Sequence, residues 1–174
     1  MLANRLNPLK GWPHDAALDF RAQISPNVLY PMVAGQVGHL DNQFMVEPGV
    51  VGTQMPLFLF SGSQDFSVSA PPNSQWIPVF PSGFLTLLVG KGAFELETTE
   101  FDATQTYYPN TLLRAPIGNA ANAYPGSGQL TSANLVLGTN AYCGVVSRGV
   151  YTVNSFGQKV LAFWPVYGPV AGNS

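Results

Sequence analysis

Acidic side chains crowd one stretch of the chain, in which four carboxylates fall within eight residues: Glu95, Glu97, Glu100 and Asp102. Two carboxylates catalyse glycoside hydrolysis when they lie about 5–10 Å apart across a sugar. In the strand that this stretch predicts, Glu95 and Glu97 share one face, roughly 6.5–7 Å apart by the strand rise. The spacing is compatible with sugar chemistry, but an exposed acidic strand face is the commoner arrangement of such residues. We expect that arrangement and predict no catalytic residue here.

The two histidines of the chain are candidate metal ligands. His39 and Asp41 form a His-x-Asp pair, which alternation along a strand would place on one face. A catalytic zinc site needs three protein ligands, and the second histidine, His14, belongs to a distant N-terminal segment. The sequence therefore predicts no metal site.

Two nucleophilic side chains, Cys143 and Ser147, occur close together near the C-terminus. Ser147 lacks the pair of glycines, two residues before it and two after it, that a nucleophile elbow requires. Cys143 is the single cysteine and stands in a strand-like run, which is typical of a small buried apolar residue. The glycine pair of "GKG" belongs to no phosphate-binding motif. We therefore predict no cofactor and no enzymatic activity.

The composition of the chain is poor in charge. Its 174 residues are 46% hydrophobic and only 9% charged, whereas ordinary soluble domains carry about 25% charged residues. Such a chain is too apolar for intrinsic disorder and long enough for one domain with its own core. A surface with so little charge favours association, and we expect much of it to be covered by partner proteins.

Charge and hydropathy also exclude several classes of partner. The net charge is −2 and the seven basic residues are scattered, so the clustered Lys and Arg of a nucleic-acid interface are missing. No apolar run approaches the roughly 18–20 residues of a membrane span. The N-terminus also lacks the continuous apolar region of a secretory signal. We therefore expect a protein that binds neither nucleic acid nor membrane and is not exported by its own signal.

From residue 29 onward the sequence alternates short strand patterns with glycine and proline turns. The stretch "AFELETTEF" has period two, with Phe94, Leu96 and Thr98 on one face, which predicts a half-buried strand. Frequent strands without a long helical period predict an all-β fold. We expect residues 29–174 to form a small Gly/Pro-rich β-barrel or β-sandwich.

Residues 1–28 read differently, because they hold three prolines and three of the seven basic residues. Only residues 14–23 have a helix-like local composition, with Asp15 suited to a first turn. We expect an N-terminal arm that is extended or holds one short helix. It is either a simple tail or an arm laid on a neighbouring protein. Its apolar residues are candidate interaction residues: Leu6, Trp12, Leu18 and Phe20.

The stretch "CGVVSRGVYTVNSFGQKVLAFWPV", residues 143–166, predicts a β-hairpin. Its first half is β-prone and "NSFG" supplies turn residues, with Gly157 able to take a positive φ. The return strand has two apolar faces, with Leu161 and Phe163 on one and Val160, Ala162 and Trp164 on the other. Both faces must be covered, one by the core and the other by a loop, a second subunit or a partner surface. The candidate interaction residues are Arg148, Phe156, Phe163 and Trp164.

The order of strands and turns in four segments resembles that of the head decoration, or cement, proteins of tailed bacteriophages. The segments are "VAGQVGHLDNQFMVEPGVVGTQMPLFLF", "YYPNTLLRAPIG", "SGQLTSAN" and the hairpin 143–166. The likeness spans about residues 33–166, and the chain departs from the smallest members by its longer arm and an insertion around 61–80. The resemblance implies a β-tulip-like, non-enzymatic domain. Such a domain binds the outer surface of a phage head, bridges major capsid subunits and reinforces the shell.

The same resemblance implies partners and a location. The partners are the major capsid protein and further copies of the chain, with a homotrimer favoured over a dimer. The protein is made in the host cytoplasm and then sits on the outer capsid surface of the virion. Two other functions stay open. One is a structural protein of the phage tail or neck, and the other is a carbohydrate-binding or glycan-acting β-domain, which suits three Trp, seven Tyr and the acidic stretch.

Overall fold

The computed structural model describes residues 6–10, 18–23, 25, 28, 32–50, 54–59, 79–80, 84–89, 95–117, 128–133, 141–153, 157–166 and 168–169. Within these residues the chain forms fourteen β-strands and no helix. The predicted all-β class is therefore confirmed for the part of the chain that the structure describes.

The strands are short, as the frequent glycines and prolines predict. In chain order they are β1 (Leu6–Lys10), β2 (Leu18–Gln23), β3 (Met32–Val33), β4 (Val37–Leu40), β5 (Val46–Pro48), β6 (Leu57–Leu59), β7 (Val79–Phe80), β8 (Phe84–Val89), β9 (Glu95–Thr98), β10 (Leu112–Leu113), β11 (Ala141–Tyr142), β12 (Gly144–Thr152), β13 (Lys159–Trp164) and β14 (Gly168–Pro169). The longest of them, β12, has nine residues.

Two antiparallel sheets of five strands each make up most of this structure. The first sheet has the spatial order β1-β9-β13-β12-β10, and the second has the order β2-β8-β6-β4-β5. Two smaller antiparallel pairs are formed by β11 with β14 and by β3 with β7. Neither five-stranded sheet closes on itself within the described residues, so no closed barrel is seen there.

One hydrophobic core joins the two sheets. Leu96 and Phe163 enter it from the first sheet, and Phe58 of the second sheet places its ring centroid 5.6 Å from that of Phe163. At the end of β9 the hydroxyl of Thr98 donates a 2.9 Å hydrogen bond to the carbonyl of Gly35. Because each large apolar side chain contributes about 1.5–3 kcal/mol when fully buried, this contact stabilises the two sheets together.

The N-terminal segment takes part in both sheets. β1 pairs antiparallel with β9, with Leu6 opposite Thr98, and β2 pairs antiparallel with β8. The short helix predicted as one alternative for residues 14–23 is absent from Leu18–Gln23, whose Leu-x-Phe-x-Ala alternation suits a strand. Leu6 is fully buried in the core. Leu6 therefore packs within the core formed by the rest of the chain.

The predicted hairpin over residues 143–166 is present as β12 and β13. The two strands pair antiparallel, with Tyr151 opposite Val160, and Gly157 takes the positive φ expected of it, at 75°. Residues 160–163 are all fully buried. Both faces of the return strand are therefore covered by the chain itself at these positions, and no subunit or partner surface is needed there.

Candidate functional site

The first half of the acidic stretch forms β9, Glu95–Thr98, which lies between β1 and β13 in the first sheet. Leu96 faces the core, and the opposite face carries Glu95 and Glu97, which are only 3% and 5% exposed. All four residues of β9 are buried, so the predicted half-buried strand with an exposed acidic face is wrong. Because buried carboxylates require hydrogen-bonding or charged partners, the surroundings of these two side chains are the candidate site.

Glu95 is bound by two consecutive residues of β12. Arg148 makes a bidentate pair with it, with Nε 2.9 Å from Oε1 and Nη2 2.6 Å from Oε2. Ser147 donates a third hydrogen bond, of 2.6 Å, from its hydroxyl to Oε1. The hydrogen bonds to Glu95, together with its charge, raise the pKa of Arg148. Bidentate arginine–carboxylate pairs are among the strongest and most directional polar contacts in proteins, so Glu95 is held in one orientation.

A β-bulge explains how two neighbouring residues reach the same carboxylate. Val146 pairs with Phe163 and Gly149 pairs with the next residue, Ala162, so Ser147 and Arg148 are extra residues in β12. In a regular strand these two side chains would point to opposite faces, whereas a bulge re-aims them. Gly149 closes the bulge with a φ of 86°, and an added Cβ would lie 2.9 Å from the Tyr107 carbonyl oxygen.

Glu97 is bound by the same strand, β12, farther along the hairpin. The hydroxyl of Tyr151 donates a 2.5 Å hydrogen bond to its Oε2. Burial, followed by the bond to Glu97, raises the pKa of Tyr151 to about 12. The tyrosine therefore stays protonated, and remains a hydrogen-bond donor, well beyond neutral pH.

Both contacts cross over β13, the strand that separates β9 from β12. Ala162 of β13 lies opposite Glu97 on one side and opposite Gly149 on the other. Because alanine and glycine carry little or no side chain, the carboxylates of β9 can meet the donors of β12 above them. Sequence reasoning missed Ser147 and Tyr151 as partners of the acidic pair, since a bulge has no clear signal in a sequence apart from Gly149.

The remaining two carboxylates serve the loop that follows β9. Burial raises the pKa of Glu100, and Gln129 donates a 3.2 Å hydrogen bond to it. Asp102 accepts hydrogen bonds from the backbone N–H of Thr104, at 3.0 Å, and from its hydroxyl, at 2.6 Å. These bonds lower the pKa of Asp102. Glu100 and Asp102 therefore have partners different from those of Glu95 and Glu97.

His39 and Asp41 also have partners within the chain. The Nδ1 of His39 donates a 2.8 Å hydrogen bond to the carbonyl of Gly49, and its Nε2 lies 3.9 Å from Oε2 of Glu47. Asp41 accepts backbone hydrogen bonds that hold the β4–β5 turn. Within the described part of the chain no cluster of three or more His, Cys, Asp or Glu side chains is placed to hold a metal ion, and His14 lies outside that part.

Cys143 is the small buried residue that the sequence predicts. It is fully buried, with its sulfur 3.6 Å from the carbonyl oxygen of Leu113. Burial raises the pKa of its thiol to about 12. Because the thiolate is the reactive form, Cys143 is not activated as a nucleophile.

The predicted interaction residues fall into different environments. Leu6 and Phe163 are fully buried and pack in the core, which leaves no exposed side-chain surface for the contact predicted for them. The side chain of Arg148 is 48% exposed but holds Glu95, whereas Trp164 is 42% exposed at the end of β13. The other four lie outside the described side chains: Trp12, Leu18, Phe20 and Phe156.

Several large apolar side chains are exposed that the sequence did not single out. Phe44 is 79% exposed and Tyr108 is 67% exposed. Phe44 stands in the turn between β4 and β5, and Tyr108 in the loop before β10. The available signal was a bulky aromatic residue inside a polar turn, as in "DNQFM" and "TYYPN".

No helix among the described residues has the length and hydrophobicity that crossing a bilayer requires. Comparison of the chain with protein-family models gave no match. Searches among curated proteins and among solved structures likewise found no similar protein. The function is therefore inferred from the residues and their geometry.

Proposed function

We propose that this protein is a capsid decoration, or cement, protein that binds the outer surface of a phage head and stabilises the shell by bridging major capsid subunits. One observation carries this proposal. The polar side chains that could serve catalysis or metal binding are bound to other parts of the chain, whereas bulky apolar side chains lie exposed. Glu95, Glu97 and His39 all hold other parts of the chain. Trp164 is 42% exposed at the same sheet.

The low charge of the chain supports the same function. Only 9% of residues are charged and the net charge is −2, which favours association over a bare surface in solution. The proposed partners are the major capsid protein and further copies of the chain, as a homotrimer or a dimer. The protein would be made in the host cytoplasm and would act on the outer face of the virion as a structural component, not as an enzyme.

We also propose that the two five-stranded sheets pack face to face as a β-sandwich. The contact between Phe58 and Phe163, with ring centroids 5.6 Å apart, supports this packing. The shared core cluster, which takes residues from both sheets, supports it as well. A sandwich would leave the sheet edges and turns free for contacts with a capsid.

Two alternative functions share some of this support. A structural protein of the phage tail or neck would have the same low charge and the same exposed aromatics. A glycan-acting domain is less favoured, because Glu95 and Glu97 are 3% and 5% exposed and are bound by Arg148 and Tyr151. Glycoside hydrolysis needs carboxylates that flank a sugar.

The test is binding of the purified protein to phage heads that lack it, followed by cryo-electron microscopy of the decorated particles. Trp164→Ala should weaken binding, and Lys159→Ala, an exposed change at the other end of β13, serves as the matched control. Density on the tail or neck would replace the proposed function by the first alternative. No binding to any part of the particle would contradict both.

A further inference from the structure

The turn between β4 and β5 presents the most exposed large apolar side chain of the described residues. It comprises residues 41–45, Asp-Asn-Gln-Phe-Met, and Phe44 at its tip is 79% exposed. A Phe side chain offers a large apolar area for burial. None of that area is used in the core of the chain, so packing does not explain why a phenylalanine stands here.

The backbone makes the choice of residue still less expected. Phe44 has a φ of 61°, in the left-handed region. Among the described non-glycine residues the other case is Asn110, at 69°, and asparagine is one of the residue types that tolerate this conformation. A bulky aromatic residue there is strained, and strain that persists at an exposed position points to a function.

Hydrogen bonds fix the turn in one conformation. The backbone N–H of Asp41 donates a 2.8 Å hydrogen bond to the carbonyl oxygen of Met45. The backbone N–H of Phe44 donates a 3.1 Å hydrogen bond to the carbonyl oxygen of Asp41. The carboxylate Oδ1 of Asp41 accepts from the N–H of Gln43 at 2.7 Å and of Met45 at 2.8 Å. The ring of Phe44 is therefore presented on a rigid support, which lowers the entropy lost on binding.

The surroundings define the kind of partner. Asn42 and Gln43 beside Phe44 are exposed and polar, so Phe44 is the one exposed apolar side chain of the turn 41–45, which suits a pocket. No Lys or Arg occurs between Arg21 and Lys91, whereas Asp41 and Glu47 lie in the hairpin. Such a region would be repelled by an anionic lipid surface and complements a neutral or basic protein rim.

We propose that the turn 41–45 is a docking anchor whose Phe44 ring enters an apolar pocket with a neutral or basic rim on a folded partner protein. In a decoration protein that partner is the major capsid protein, so the identity of the partner rests on the proposed function. The turn keeps a strained residue in the free protein because that residue supplies the contact.

The experiment compares Phe44→Asn with Gln43→Ala, an exposed change in the same turn that keeps its N–H bond to Asp41. Binding is measured on phage heads that lack the protein, and the Tm is measured on the free protein. Phe44→Asn should weaken binding about ten-fold or more. It should also raise the Tm by about 2–4 °C, because asparagine relieves the strain. Gln43→Ala should change the Kd less than about two-fold.

The outcomes separate the anchor from the proposed function. Unchanged head binding by Phe44→Asn, or a lowered Tm, would overturn the anchor. If the full-length wild type binds no heads, the proposed function fails, and with it the named partner. Binding of the wild type to vesicles of phosphatidylcholine and phosphatidylglycerol that Phe44→Asn abolishes would replace the protein pocket by a membrane and overturn the inference.

Discussion

The β12–β13 hairpin and the β4–β5 hairpin use their apolar residues in opposite ways. The β12–β13 hairpin has a long apolar return strand, yet Val160, Leu161 and Phe163 are fully buried within the chain. The β4–β5 hairpin has a polar turn, yet it exposes Phe44 by 79%. An apolar sequence therefore does not by itself mark a docking surface. What decides is whether the fold leaves the side chain uncovered.

The same two hairpins differ in the residues that they place at positive φ. In the β12–β13 hairpin these are Gly149, at 86°, and Gly157, at 75°. In the β4–β5 hairpin Phe44 stands at 61° within a turn, residues 41–45, that has no glycine. Glycine adopts this conformation without steric cost. The β12–β13 hairpin thus follows local backbone preferences, and the β4–β5 hairpin departs from them at its one exposed aromatic residue.

The largest expected effect comes from Phe163→Ala, which would remove one of the largest fully buried side chains from the core face of the β12–β13 hairpin. Loss of its contact with Phe58 and the cavity left behind should lower the free energy of unfolding by about 3–5 kcal/mol. Trp164→Ala, one residue away and exposed, should cost less than about 1 kcal/mol. Urea denaturation measures both. Equal losses would break the distinction between a buried and an exposed position of the same strand.

Gly149→Ala tests whether the bulge depends on its glycine. The added Cβ would lie 2.9 Å from the Tyr107 carbonyl oxygen at a φ of 86°, and we expect a loss of about 2–4 kcal/mol from strain and displacement together. Gly157→Ala is the control, because a Cβ there meets nothing within 4 Å. A similar loss for both variants would show that φ alone matters and that the Tyr107 contact does not.

Tyr151→Phe removes the hydrogen-bond donor of Glu97 while keeping the ring. The buried carboxylate loses a partner, so the variant should be less stable than the wild type by about 1–3 kcal/mol at pH 7. The pKa of Tyr151 is raised from 10.0 to about 12. Because the folded value exceeds the unfolded one, this stabilisation is complete below pH 10 and is lost as the pH rises through about 12.

Chemical denaturation of both proteins from pH 7 to pH 12 measures the difference. Tyr107, whose pKa is also raised to about 12, is present in both proteins, so its contribution cancels. A difference in stability that stays constant up to pH 12 would contradict the assigned hydrogen bond.

The smallest expected effect comes from placing the unusual feature of the β4–β5 hairpin, a phenylalanine at positive φ, in the β12–β13 hairpin. Gly157→Phe puts a phenylalanine at positive φ in an open position of the β12–β13 hairpin, so its cost is that of the backbone alone, about 1–2 kcal/mol. Gly157→Asn should cost less, since asparagine tolerates this conformation. If thermal unfolding finds no loss for Gly157→Phe, the strain assigned to Phe44 is not a cost to the fold.

The parts of the fold that the sequence could predict depend on local patterns. Period-two alternation and turn residues were enough for the all-β class and for the hairpin over residues 143–166. Cys143 was predictable from its neighbours alone. The helix alternative fails for Leu18–Gln23, because pairing with β8 decides the conformation of these residues, and that partner lies at Phe84–Val89.

The candidate site could not be predicted, because its contacts are distant in sequence. Ser147 and Glu95 are 52 residues apart, and Tyr151 and Glu97 are 54 residues apart. Their meeting depends on the bulge in β12 and on the small Ala162 between the strands. Burial of Glu95 and Glu97 follows from that packing, and no window of sequence around the acidic stretch contains it.

The strand order of the two sheets has a consequence for how the chain folds during synthesis. The second sheet, β2-β8-β6-β4-β5, is complete in sequence once Val89 has left the ribosome. The first sheet needs β1 at Leu6–Lys10 and β13 at Lys159–Trp164, which separates β9 from β12. Completion of the first sheet therefore waits for the last of these strands, and non-local pairing of this kind is slow. Until then the strand that carries Glu95 and Glu97 can pair with β1 but lacks its other neighbour, β13. The nascent chain thus passes through a stage in which the first sheet is incomplete and is open to aggregation or chaperone binding.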